Sequence, residues 1–176
     1  MSATTRDYAI LQKFNFERKP VGMKFLLNRP ASLAQTKEIA PICRLFMEAQ
    51  DSQPFYAAKE NLACVERLVL GMVDPEPTIE SGQIGAKEKI YGEARANRRI
   101  YHSIQKLAKD TVRYVAFSPV DRLTFAPDIL IFTANPADAE ILFRALSYST
   151  GKPLSSKITP VLTCAWIFVY PFISGE

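Results

Sequence analysis

Apolar and polar positions along the chain alternate between two periods, and the change from one to the other outlines a mixed α and β domain. Ile10, Leu11 and Phe14, with Tyr8 beside them, fall on one helical face within 5–16, where Thr4 or Thr5 can cap the start. Val21 to Leu27 is β-prone between Pro20 and Pro30 and reads as the first strand. Helical spacing returns over 37–49 through Ile39, Ile42, Cys43, Phe46 and Met47; Pro41 confines the regular part to its C-terminal side or to its own first turn. That spacing places Cys43 on the buried face. A short strand over 54–57 and a helix over 62–72, ending at Gly71, complete the first half.

Asp74-Pro-Glu-Pro-Thr-Ile-Glu-Ser-Gly82 is the clearest loop, since two prolines among acids resist helix and strand alike. The longest helical pattern follows, over 86–109, through Ile90, Ala94, Asn97, Tyr101, Ile104 and Ala108. Val112–Phe117 and Asp128–Thr133 read as strands, the second an apolar run suited to a sheet interior. Asn135-Pro136 then opens a helix over 137–148, with Asn135 as cap, Asp138 and Glu140 at its positive end and Gly151 as terminator. A further strand is expected over 158–164, and the alternating Trp166, Phe168, Tyr170 and Phe172 read as an aromatic strand. The expectation is an α+β (or α/β) fold, a mixed sheet with four to five helices. It should form one domain over 1–176, its halves joined near 74–82.

Composition narrows the class. With 48% hydrophobic and 23% charged residues in 176 positions, the chain has the globular balance and enough length to bury one core. No apolar run approaches a membrane span, and the first residues lack the basic-then-apolar order of a secretory signal, so a cytoplasmic location without membrane partners is expected. A formal net charge of +4 gives a weak attraction to anions. No nucleic-acid reader motif accompanies it, which argues against nucleic acid as a partner.

The order of segments has a counterpart. Lys19-Pro-Val-Gly-Met-Lys-Phe-Leu with Pro30, Cys43 with Ala49 and Phe55-Tyr56, and Cys64 with Leu70-Gly71 are followed by Val115-Ala-Phe-Ser-Pro, Ala126-Pro-Asp-Ile-Leu-Ile-Phe and Asn135-Pro. Tyr148 with Thr150-Gly-Lys, then Cys164 before Tyr170-Pro171 and Gly175, close the series. In this the chain resembles the bacterial and archaeal domain of unknown function 169 family over nearly its whole length. It departs from the family pattern where Val65-Glu66-Arg67 replace a glycine pair after the second cysteine. The family pattern also continues past Gly175 into a Gly- and Arg-containing segment, which this chain is expected to lack. The resemblance implies a frame and draws attention to the cysteines; it implies no reaction.

Cys43, Cys64 and Cys164 are therefore the first candidates, as ligands to a small molecule, a metal or an iron–sulfur cluster, because thiolates select soft metals. Against this stands the ordinary use of free cysteine as a small buried hydrophobe, since all three lie in apolar runs. The second candidate set is Arg95, Arg99, His102 and Lys106, at steps of four, three and four, which should share a helical face able to bind a phosphate, a carboxylate or a nucleic-acid backbone. A solvated helix face explains the same residues. An anion at the Asn135-Pro136 helix start competes with simple capping, and the aromatic stripe 166–172 competes between pocket lining and core.

The sequence thus favours a binding protein that holds a small ligand, metal or cofactor near its cysteines and aromatic strand. A thiol-dependent enzyme using Cys64 or Cys43, with His102 as the only histidine available to assist, is one alternative. A regulatory or nucleic-acid interaction module acting through the basic helix 86–109 is another. A homo-oligomer is compatible with each.

Overall fold

A computed structural model describes residues 8–14 and 16–175; the helix start expected at Thr4 or Thr5 lies outside them. Of that helix, Ala9–Lys13 forms a 3-10 turn. The sheet is mixed and five-stranded. Its strands are β1 (Val21–Leu26), β2 (Ala34–Gln35), β3 (Phe55–Ala58), β4 (Tyr114–Pro119) and β5 (Ile129–Ile131), in the spatial order β2-β3-β4-β1-β5. Only β2 and β3 run parallel.

The first strand is central because its alternation is two-faced. Val21, Met23 and Phe25 point into the core, and Gly22 between them lets the 123–127 segment lie flat on the other face. A Cβ on Gly22 would stand 2.8 Å from Leu123 Cδ2 and 3.0 Å from Pro127 Cβ. Cross-strand aromatics fix the register: Phe55 faces Phe117 with ring centroids 5.2 Å apart, and both are buried. Asp128 accepts a hydrogen bond from the Phe25 N–H at 2.8 Å, anchoring the start of β5 to β1. The strand expected in the interior, 128–133, is instead the short edge strand β5, with only Ile129 fully buried. Its apolar run is covered by neighbouring loops and helices, an arrangement that composition does not distinguish from a central position.

Seven α-helices occur among the described residues: α1 (Ile42–Ala49), α2 (Glu66–Val69), α3 (Pro77–Glu80), α4 (Gln83–Lys87), α5 (Ala94–Ser103), α6 (Pro136–Ser147) and α7 (Tyr170–Ser174). The domain is α+β, as expected, with more and shorter helices than the four to five of the sequence reading. The 74–82 loop contains α3, because Pro77 at a first-turn position is pre-set for helix rather than opposed to it. The long helix expected over 86–109 is two helices. Lys89 and the 88–93 linker reverse the chain at a positive φ, so that α4 folds back against α5 and buried Asn97 donates to the Gly82 carbonyl at 3.2 Å. After Ser103 the backbone extends to bury Ile104, which ends α5 six residues before the sequence pattern stops.

Two further expectations fail at the C-terminus. Residues 158–162 carry no strand, and 166–172 is helical: a π-helical segment, Ala165–Val169, runs into α7. Ala165, Phe168, Val169 and Phe172 recur at helical spacing beneath the alternating aromatics, and burial of the first three in the core decides for the helix. Phe172 meets Phe25 edge-on at 4.9 Å.

One local hub holds the first half together. Asn61 is buried; its Oδ1 accepts from the Ala58 N–H at 3.0 Å and from Gln35 Nε2 at 3.0 Å, while its Nδ2 donates to the carbonyls of Thr36 at 3.0 Å and Glu38 at 3.1 Å. The backbone continues the seam, with Ala40 donating to Asn61 and Ala63 donating to Ala40. Replacing Asn61 by Ala strands several buried polar groups at once. We expect Asn61→Ala to lower unfolding free energy by about 2–4 kcal/mol in a urea titration; a loss below about 1 kcal/mol, the net worth of one ordinary hydrogen bond, would deny the hub its role.

Candidate functional site

The seam from 36 to 40 and 58 to 63 leads directly to the first two cysteines. Pro41 follows Ala40 and starts α1, which puts Cys43 in its first turn; Ala63, bonded to Ala40, precedes Cys64. Cys164 arrives from the other end of the chain, immediately before the π-helical segment that packs beside α2. Folding therefore brings residues more than a hundred positions apart into one neighbourhood, close enough that charge on Cys43 is felt at Cys64, and charge on Cys64 at Cys164.

Cys43 is exposed rather than buried, as its place in the apolar spacing suggested. The helix starts at Ile42, and its buried line is Ile42, Leu45 and Ala49, which turns Cys43 with Met47 outward. Cys64 is exposed too, and Cys164 is half-buried and packs against the edge of the core, as Phe46, Leu162 and Trp166 also do. The aromatic side of this face is made by Phe46 and Phe168, whose ring centroids lie 6.3 Å apart, and by Trp166, which donates from Nε1 to Thr159 Oγ1 at 3.0 Å.

Glu66 is the residue that sequence reading passed over. Only 2% exposed, it accepts the Cys64 N–H at 3.0 Å and lies near Cys164. The available signal was a carboxylate inside the apolar stretch 62–72, where the family pattern has glycine. Although Cys64 is exposed as a residue, partial desolvation of its thiol raises the pKa, and the Glu66 carboxylate and Cys43 add to the rise. Burial, with Glu66 and Cys64, pushes Cys164 up to about 12. These thiols are held protonated, the reverse of what an activated nucleophile needs. Among the described residues no group of three or more His, Cys, Asp or Glu side chains is set to hold a metal ion.

A family model described as DUF169, an uncharacterised ArCR family, matches residues 9–176. The chain belongs to that family. Neither a curated protein nor a solved structure matches this DUF169 chain. No helix among its described residues is long and apolar enough to cross a membrane.

The basic set of this DUF169 domain is dispersed. Arg95, Arg99 and His102 lie on the exposed face of α5, but Arg95 is ion-paired with Glu93. Lys106 lies beyond the end of the helix, and so does not continue that face; its ammonium donates to the Tyr101 carbonyl at 3.1 Å and sits 4.0 Å above the Tyr101 ring. The helix start at Asn135 is capped internally: the Asn135 side chain accepts the Asp138 N–H at 2.9 Å and donates from Nδ2 to the Asp138 carboxylate at 2.8 Å.

The raised Cys164 pKa has a thermodynamic consequence of definite sign. Between its ordinary value of 9.0 and about 12 the folded chain keeps a proton that the unfolded chain releases, so its contribution to stability is complete below pH 9 and fades as pH rises. Cys164→Ala removes that contribution. Urea midpoints of wild type and Cys164→Ala, compared at pH 8 and pH 10.5, should converge toward the alkaline end; parallel curves would mean that the thiol titrates normally.

Proposed function

We infer that this DUF169 domain is a binding protein whose ligand seats on the thiol face formed by Cys43, Cys64 and Cys164 around Glu66. The observation that carries the reading is that Cys64 and Cys164, from distant stretches of the chain, share the buried Glu66 carboxylate as a neighbour, with Cys43 next to Cys64. Partial desolvation and negative neighbours disfavour ionisation of Cys64 and Cys164. Because these side chains are not set around a common point, a soft, thiol-seeking cation has to draw them together, and in doing so it releases their protons and turns each of these penalties into an attraction. Phe46, Trp166 and Phe168 supply an apolar wall beside it. The raised Cys64 pKa weighs against that residue as the nucleophile of a thiol-dependent enzyme.

Cadmium ion is a suitable probe, because cadmium thiolates absorb in the ultraviolet and the reduced protein does not absorb there in the same way. Anaerobic titration of the reduced chain should give a saturable charge-transfer band accompanied by proton release. The band should be largely lost in Cys64→Ser and weakened in Glu66→Gln. A band of equal strength in wild type and Cys64→Ser, or none in either, would refute the thiol face as a ligand site.

A further inference from the structure

The helix α6 has no buried residue along its 12 positions, although it carries Ile141, Leu142, Phe143 and Leu146. Phe143 is 58% exposed and Leu146 65%, and the strap that follows leaves Leu154 and Ile158 open as well. Helix and strap flank a groove of about 550 Å³, lined by Phe143, Ser147 and the Glu140–Arg144 pair on the helix and by Lys152, Pro153 and Leu154 on the strap. Bulky apolar side chains left open on both the helix and the strap of a folded domain mark a contact that the single chain does not make.

The helix sequence itself describes what covers it. About Leu142 the positions are mirrored: Ile141 and Phe143 are bulky and apolar, Glu140 and Arg144 are opposite charges, Ala139 and Ala145 are small. Asp138, Ala139 and Leu142 are partly covered and turn toward the domain, Ser147 is partly covered beside the strap, and Glu140 and Arg144, joined by a 2.7 Å ion pair, lie exposed on the side away from the domain. Phe143 flanks them on the groove side and Ile141 on the other.

We propose that α6 is a homodimer interface, in which two copies of this helix pack antiparallel about a two-fold axis beside Leu142. A two-fold antiparallel pair reverses the direction of the second helix, so Glu140 of each copy stands opposite Arg144 of the other. Phe143 meets its symmetry mate over the groove, and Ile141 meets its own on the far side. A parallel pair would set Glu140 against Glu140 and Arg144 against Arg144. The charge order therefore selects both the partner and its direction.

The charges also supply the test. Sedimentation equilibrium of the wild-type chain should give twice its mass of 19.8 kDa. E140R and R144E each place like charges across the axis and should weaken association about tenfold or more. An equimolar mixture of E140R and R144E restores both opposite pairs in the heterodimer and should associate, although neither variant does so alone. A monomeric wild type, meaning that another partner covers α6, would overturn the proposal. So would single variants that associate as wild type does, or a mixture that stays monomeric.

Discussion

The geometry of this domain hangs on one buried amide. A short parallel strand such as β2 contributes little pairing of its own, and the 36–40 segment has no regular structure to hold it. Asn61 supplies what both lack by bonding to four groups on two chain segments, and the backbone seam through Ala40 and Ala63 extends the grip to Pro41 and Cys64. Such a network has value only when complete, because in a low-dielectric setting each unmet group costs more than a met one contributes. The placement of α1 over the sheet follows from it, and so does the neighbourhood of Cys43 and Cys64.

Around that seam the rest is packing. The single hydrophobic cluster draws on β1, β3, β4, α1, α2 and the C-terminal helical segment. Gly71, at φ +70°, lets the 107–110 segment hydrogen-bond along the end of α2; a Cβ there would stand 2.5 Å from the Ala108 carbonyl oxygen. The second half of the chain is thereby stitched to the first at two levels, the sheet and this close crossing, and Cys164 reaches the other thiols over the resulting floor.

Local signals were legible wherever one period dominated. Val21–Leu26 and the Asn135-capped α6 appear where the pattern puts them, because turn chemistry and periodicity agree there. The helix over 166–172 was hidden because aromatic residues at alternate positions also satisfy a helical stripe, and only the shape of the core chooses between them. The break between α4 and α5 was hidden because a single buried contact, Asn97 to Gly82, outweighs a long amphipathic pattern. At the candidate site the cysteines were visible as residues, but their exposure was not. Glu66 was overlooked because an acid in an apolar run reads as an interruption until the fold shows it enclosed.

Trp166 gives the domain an internal reporter. It is the only tryptophan, it lies two positions from Cys164, and its indole N–H is tied to Thr159 at the edge of the core. Sulfur quenches indole emission over short distances, and a change in the polarity around the ring shifts its wavelength. Fluorescence from the unlabelled chain is therefore a local reading of the Cys164 surroundings, uncontaminated by emission from any other indole.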